Sequence, residues 1–447
     1  MQPTSTPATP AQKRRFPLHT RILIALVLGA IAGIVCQVVL PGGAKNGSLV
    51  WFVDTIATPV GNIFLSMIFM IVVPLLFAAL CLGVSELGDV AKVGKIGIRA
   101  LGMTILLSSI AVIVGLIAVN MVRPGDGISE ERRSYLLSNV NREEAAKKGA
   151  SEKVAEQDPP VLGVVPKNPL LEATRALTGG LMPFMFFALV FGIALSSIDP
   201  EKAQPLRSFL EGLFAVSLKV IDFAMQLAPI GVLMLVFKTS AMLGVEALVA
   251  LLKYAVIVLI ALAFQQFVVY SAVLKFIAKR NPAQFFRQMK TVMLTAFGTA
   301  SSNATLPTAL KAAENDLGLP RDISSFILTV GATANQNGTA LFEGITILFL
   351  AQFSGIELTM AQQVTVMFLS IVAGIGTAGV PGGSWPMIGG IITKFGIPVE
   401  SIGICLGIDR ILDMSRTVLN VTGDMTIACC VAQMENRGVV IPQNELE

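Results

Sequence analysis

Through Arg280 the chain alternates long apolar runs with short charged clusters, and beyond that point the pattern changes. The apolar runs predict helices near residues 20–40, 50–83, 96–121, 172–197, 212–238 and 247–277. Stretches such as Ile22 to Leu40 and Ala255 to Leu274 approach the ~20 residues an α-helix needs to cross hydrocarbon. After Arg280 the apolar segments shorten and are broken by small polar strings: GTASSNATLP from Gly298 to Pro307, GATANQNGT from Gly331 to Thr339, and GIGTAGVPGGS from Gly374 to Ser384. A spanning helix rarely tolerates such strings, because each unpaired backbone group in lipid costs several kcal/mol. Two of them bracket a third, which is the pattern of re-entrant hairpins and discontinuous helices meeting at mid-membrane. There, helix N-termini can hold anions and unwound carbonyls can hold cations.

A different departure occurs at DRILDMSRTVLNVTGD, Asp409 to Asp424. At 100° per residue, Asp409, Asp413, Arg416, Asn420 and Asp424 fall within roughly an 80° arc of one helix. Each charged group at mid-bilayer costs on the order of 2.5–3.5 kcal/mol on insertion scales, and such groups usually face a protein-lined or watery cavity. The face therefore predicts a binding site for something small and charged.

Composition supports a multi-pass membrane protein: of 447 residues, 54% are hydrophobic and only 14% charged, where a soluble chain carries roughly 25% charged residues. The net charge of +4 is small and scattered, so no nucleic-acid partner is expected. Basic clusters at Lys13, Arg14, Arg15 and Arg21, at Lys92, Lys95 and Arg99, at Lys202 and Arg207, and from Lys275 to Lys290 all fall on one side of the predicted spans. The positive-inside rule makes that side, and the N-terminus, cytoplasmic. Asp126 to Asp158 mixes both signs and reads as a solvated extracytoplasmic loop. Met1 to Gln12 is polar and runs into a full span, so no cleavable signal is expected. The five cysteines lie in apolar surroundings and read as small buried hydrophobes; the lone His19 cannot build a histidine-based metal site. No nucleotide-binding GxxxxGK[ST] loop and no nucleophile–base arrangement is present, so neither an enzyme nor an ATP-driven pump is expected.

Four strings carry a resemblance: SSNATLP at Ser301 to Pro307, NQNGT at Asn335 to Thr339, GTAGVPGG at Gly376 to Gly383, and DMSRTVLNVTGD at Asp413 to Asp424. In this order they resemble the dicarboxylate/amino acid:cation symporter family, which includes the glutamate transporters, over about residues 20 to 437. The resemblance implies an all-α membrane protein with eight transmembrane helices plus two re-entrant helical hairpins, the elevator-type glutamate transporter fold, assembled as a homotrimer. It implies a cytoplasmic tail (1–19), scaffold helices 1–2 (20–91), transport helix 3 (92–122), an extracytoplasmic loop (123–171) and scaffold helices 4–5 (172–244). A transport domain of helix 6, hairpin 1, helix 7, hairpin 2 and helix 8 (245–437) and a tail (438–447) follow.

Residue by residue, Arg416 resembles the arginine that holds a substrate side-chain carboxylate, and its planar permanent charge suits that pairing. Asp413 resembles the aspartate that takes the substrate ammonium, and Thr339, Thr417 and Asn420 stand at positions that bind the α-carboxylate or its neighbours. Ser301 and Ser302 at the first hairpin tip, with Val380, Gly383 and Ser384 at the second, would close over the ligand. Gly331, Asn335, Asn420 and Asp424 resemble a sodium site. A plain intrahelical i,i+3 ion pair is the alternative reading of Asp413 and Arg416, a costly choice at this depth.

Departures from the family pattern matter as much. In sodium-coupled members the seventh-helix string is Asn-Met-Asp-Gly-Thr; here Gln336 replaces the methionine and Asn337 the sodium-binding aspartate. Thr104 and Leu107 stand where a tyrosine and a threonine help to bind sodium. Without those oxygens a hard cation is poorly held, so loss of one sodium site is expected. Ala300 and Met414 replace the arginines that archaeal and animal members respectively supply near Asp413, which leaves Asp413 without its usual partner and its protonation state open. Glu343 follows Asn335 by eight, hence lies on roughly the same helix face. It occupies the position of the proton-carrying glutamate of animal members, and desolvation favours the protonated form of a carboxyl.

The expected function is secondary symport of L-aspartate or L-glutamate in a bacterial inner (plasma) membrane, with H+ and/or Na+ as coupling ion and no other cofactor. A C4-dicarboxylate symporter, and an anion channel or substrate sensor on the same fold, are the alternatives. Asp413 argues against a dicarboxylate, which has no ammonium to meet it, unless Asp413 is protonated.

Overall fold

The computed structural model describes residues 18–92, 95–126, 165–175, 181–376 and 382–436, and every regular element among them is helical. The first helix, α1 (Leu18–Val39), is followed by α2 (Thr58–Phe69) and α3 (Val72–Lys92), then by α4 (Lys95–Val122) and α5 (Leu181–Ser197). The next helix, α6, runs from Pro200 to Leu243, 44 residues, much longer than the predicted 212–238. Its early start has a local cause. Asp199 caps it by accepting a hydrogen bond from Glu201 N at 3.1 Å, and Pro200 sits at the first helical position, where its missing N–H costs nothing. The charged turns before residue 212 thus continue the helix rather than forming a loop.

Long α6 is the spine against which α1, α2 and α3 pack. Gly29 and Gly33, four apart on α1, make the closest approach: a Cβ on Gly29 would lie 2.6 Å from Leu233 O, and one on Gly33 2.7 Å from Phe237 O. Small residues at this spacing let two helix backbones touch, which is how helices associate in lipid, where hydrophobic burial gives no drive. Among the described residues, five helices are long and apolar enough to cross a membrane: Thr20–Val39, Gly47–Ser85, Lys95–Val122, Pro200–Leu243 and Val245–Phe276. Large apolar side chains along them, such as Val38, Ile98 and Met121, point outward, as lipid contact requires.

Helix α7 (Val245–Phe264) passes through a π-helical stretch, Gln265–Val269, into α8 (Tyr270–Phe276). Each polar string after Arg280 then becomes a break. Between α9 (Lys290–Thr299) and α10 (Ser302–Asn315), Ala300 takes a left-handed conformation at φ 49° and Ser301 caps α10 through Ala304 N, so the chain reverses as a hairpin. Helix α11 (Arg321–Ala334) ends at Asn335, and α12 (Asn337–Phe353) begins two residues later. Next come α13 (Met360–Gly376) and α14 (Ser384–Lys394), and α15 (Asp409–Met434) closes the core. Every residue of α12 is buried, with α4, α7, α13, α14 and α15 packed round it. Its polar side chains therefore face protein, not lipid. None of the five cysteines is disulfide-bonded; four are buried and Cys36 is half-buried.

Candidate functional site

The polar face of α15 is continuous and buried: Asp409, Asp413, Arg416, Thr417, Asn420 and Asp424 are all in the interior. Arg416 is its centre. Its Nε and Nη2 each lie 2.9 Å from Asp413 Oδ1, and Nη2 lies 3.6 Å from Asp409 Oδ1. The guanidinium carbon sits 4.3 Å from the centroid of the Phe342 ring, a cation–π contact that holds the fork flat. Phe342 meets Trp385 edge-on at 5.6 Å, which joins the start of α14, and with it Ser384, to the arginine. Asp413 is thus not left without a partner by Ala300 and Met414: Arg416 takes Oδ1, and Arg410 Nη1 lies 3.8 Å from Oδ2.

Buried polar atoms with no hydrogen-bond partner among the described residues include Arg416 Nη1, Asp413 Oδ2 and Asp409 Oδ1 on α15, Ser384 Oγ at the start of α14 and Ser302 Oγ at the start of α10. A buried polar atom left unpaired is costly, so atoms of this kind mark a site where a ligand supplies the partner. They include a permanent cation, two carboxylate oxygens and two hydroxyls, one from each interrupted segment that flanks α12. Ser301 serves the hairpin as cap of α10. Gly383 immediately precedes α14, and Val380 lies outside the described residues.

Next along α15, Thr417 Oγ1 donates back to Asp413 O at 2.8 Å. Asn420 closes the gap between α11 and α12: its Oδ1 accepts from Gly338 N at 2.7 Å, and its Nδ2 donates to Gln336 Oε1 at 2.5 Å and Thr339 Oγ1 at 3.3 Å. Gln336 therefore acts as a polar strut at the position where the resemblance led to the expectation of a methionine. One turn on, Asn335 Nδ2 donates to Asp424 Oδ1 at 2.5 Å, and a Cβ on Gly331 would collide with that carboxylate. Gly331, Asn335 and Asp424 are thus brought together, while Asn420 is engaged with Gly338 and Gln336.

The positions expected to have lost a sodium site are occupied by neutral hydrogen bonds. Ser108 Oγ donates to Asn337 Oδ1 at 2.5 Å, Asn337 Nδ2 donates to Tyr270 OH at 3.1 Å, and Tyr270 OH donates to Leu419 O at 3.3 Å. Leu107 is buried, and its carbonyl accepts from Gln265 Nε2 at 3.3 Å; Thr104 is half-buried on the same helix. No cluster of three His, Cys, Asp or Glu side chains suited to a metal ion occurs among the described residues. Glu343 is fully buried on α12 and adds to the negative field at Arg416. Glu343 does not share one continuous helix face with Asn335, because the helix breaks between them; Asn335 bonds to Asp424 on α15.

Sequence reasoning missed Ser108, Tyr270, Phe342, Trp385 and Arg410. Only Arg410 left a readable signal, the i,i+3 spacing to Asp413. Tyr270 is hidden in an apolar run, and Ser108 directly follows Leu107 in the apolar stretch of α4.

A profile of the sodium:dicarboxylate symporter family matches residues 18–434. The chain is 32% identical over 426 residues, 95% of this chain and 96% of the other, to the proton/sodium-glutamate symport protein of Geobacillus stearothermophilus. It is 30% identical over 424 residues, 95% and 94% of the two chains, to the proton/glutamate-aspartate symporter of Escherichia coli strain K12. Identity to the C4-dicarboxylate transport protein of Anaeromyxobacter sp. strain K is 25% over 423 residues, 94% and 90% of the two chains.

Proposed function

The chain belongs to the sodium:dicarboxylate symporter family, and from that premise we propose that it is a secondary symporter for L-aspartate and L-glutamate that works by an elevator motion. The observation that carries this reading is the pairing of Arg416 with Asp413 on one buried turn, each with an atom the protein does not use, Nη1 and Oδ2. An acidic amino acid offers a carboxylate to the first and an ammonium to the second. A C4-dicarboxylate answers only the arginine. The higher identity to relatives named for glutamate and aspartate than to the one named for C4-dicarboxylates points the same way.

In this reading the side-chain carboxylate displaces Asp413 from Arg416, the ammonium takes the freed aspartate, and Thr339, Thr417 and Asn420 meet the α-carboxylate. Ser302 and Ser384 close over the ligand from the two hairpins. Helix α4 travels with the C-terminal third, and its ties support that grouping. At one end Arg99 Nη1 donates to Met434 O at 2.5 Å and Glu435 Oε1 at 2.7 Å. At the other, Arg123 pairs with Asp126 and with Glu357 beyond α12. Helices α1, α2, α3, α5 and α6 form the stationary scaffold of a homotrimer in a bacterial inner membrane, with the N-terminus cytoplasmic.

Coupling is by protons, with sodium either dispensable or confined to the Gly331, Asn335 and Asp424 site. The neutral chain Ser108–Asn337–Tyr270 supplies no carboxylate to a cation, and Glu343 is the proton carrier. Reconstitution into liposomes, with counterflow of radiolabelled L-aspartate and with sodium and proton gradients imposed separately, tests the proposal. Counterflow, and net uptake driven by an inward proton gradient, are the expected results; a vesicle that exchanges no aspartate, or conducts anions without it, overturns the reading.

A further inference from the structure

The two oxygens of Asp413 keep different company. Oδ1 receives both nitrogens of Arg416 at 2.9 Å, whereas Oδ2 makes no hydrogen bond among the described residues and faces Arg410 Nη1 at 3.8 Å. Arg410 reaches it because three residues separate the two on α15, so both side chains lie on one side of the helix. The side chain of Arg410 is 22% exposed, against 5% for Asp413 and 2% for Arg416. Arg410 is therefore the less buried of the two arginines that face Asp413.

This asymmetry bears on what happens when a ligand arrives. Arg416 contacts both Asp409 and Asp413, and Glu343 adds a further negative field at it. A carboxylate that binds Arg416 draws the guanidinium off Asp413 Oδ1. Asp413 would then be a desolvated carboxylate with no counter-charge, an expensive state, unless a second cation remains in place. Arg410 is that cation, because it addresses the other oxygen and need not move.

The geometry points to Arg410 as a positioning residue that holds countercharge on Asp413 during ligand exchange and so sets how strongly the site demands an ammonium group on its substrate. The inference rests on the acidic amino acid reading of the same site. With Arg410 present, Asp413 is partly neutralised, and a dicarboxylate lacking an ammonium meets a tolerable partner. Without it, only an ammonium can answer the bare carboxylate, so discrimination against dicarboxylates sharpens. The charge of Arg410, not its planar shape, produces the effect, since no bidentate hydrogen bond to Asp413 is made.

The test is competition. Purified wild type, Arg410→Ala, Arg410→Gln and Arg410→Lys are reconstituted, and binding of radiolabelled L-aspartate is displaced by unlabelled L-aspartate or by succinate at fixed ionic strength. The expected result is a rise of about tenfold in the succinate-to-aspartate ratio of inhibition constants for the alanine and glutamine variants, a value discounted for the partial exposure of Arg410. The lysine variant returns the ratio to within about threefold of wild type, because it restores charge without the fork. The neutral glutamine keeps the polar stem should alanine fail to fold. An unchanged ratio in a folded alanine or glutamine variant overturns the role, as does a lysine variant that behaves like glutamine. Wild-type protein that binds no aspartate sinks the acidic amino acid reading itself, and this role falls with it.

Discussion

Ser108 on α4 and Asn337 at the start of α12 are bound side chain to side chain, the hydroxyl donating to Oδ1 at 2.5 Å. The bond ties α4 to the first turn of α12, Gln352 Nε2 ties the far end of α12 to Val119 O at 3.4 Å, and Tyr270 extends the first link to the backbone of α15. A carboxamide can satisfy both neighbours at once, accepting from one and donating to the other. A carboxylate at the same point could only accept, and would need a cation.

Asn337→Asp is therefore expected to recreate a demand for sodium. In sodium-free buffer the buried, unpaired charge should lower stability by about 3–5 kcal/mol, read as a depressed melting temperature. Added sodium should raise the melting temperature of the variant by several degrees more than it raises that of wild type. Equal responses in the two proteins would show that this position is not the remnant of a cation site.

Arg416→Ala tests the centre of the polar face. Loss of a desolvated partner for a carboxylate costs about 2–5 kcal/mol, on the order of a hundredfold in L-aspartate affinity, while α15 remains held by its apolar neighbours. Titration calorimetry on variant protein that still melts cooperatively gives the answer. Unchanged aspartate affinity would remove Arg416 from the substrate site.

Much of this arrangement is legible in the chain itself. The strings around Ala300, Asn335 and Gly382 announce breaks because small polar residues cannot continue a helix through lipid, and each became a turn or an interrupted helix. The face from Asp409 to Asp424 is legible because helical periodicity alone places those residues together. The Ser108–Asn337–Tyr270 chain is not, since it joins three segments far apart in sequence and Tyr270 reads as one more apolar position. Periodicity also misled where the helix was not continuous, as with Asn335 and Glu343. The start of α6 was misjudged for a related reason: charge suggested a loop, but the Asp199 cap and Pro200 make helix the better local choice.

Gly331→Ala probes the site that retains its carboxylate. The new methyl would fall on the Asp424 carboxylate, and forcing an extra carbon into a packed interior costs about 1–3 kcal/mol. The melting temperature should fall, and any stabilisation of wild type by sodium should vanish, while L-aspartate affinity in sodium-free buffer stays within about threefold, because Arg416 lies two turns away along α15. Sodium stabilising the variant as much as wild type would argue against a residual site at Gly331, Asn335 and Asp424.

Glu343 bears the last prediction, which concerns the direction of proton coupling. It is fully buried on a helix with no solvent-facing side and contributes negative field at Arg416. If Glu343 carries the proton, binding of acidic substrate at Arg416 and protonation of Glu343 support one another, since neutralising the glutamate removes a competitor for the guanidinium. Acid outside should then favour the loaded, protonated carrier and accelerate inward transport, and a less acid interior should release the proton. Glu343→Gln keeps the size and hydrogen bonding of the protonated acid but cannot titrate. It should bind aspartate at least as well as wild type and exchange it in counterflow, yet show no acceleration of uptake when the outside is made acid. Proteoliposome uptake with and without an acid exterior, in sodium-free buffer on both sides, separates the two proteins. A glutamine variant that retains the wild-type pH profile would move the proton to another group, whereas one that loses exchange as well as acceleration would make Glu343 a structural support of the arginine.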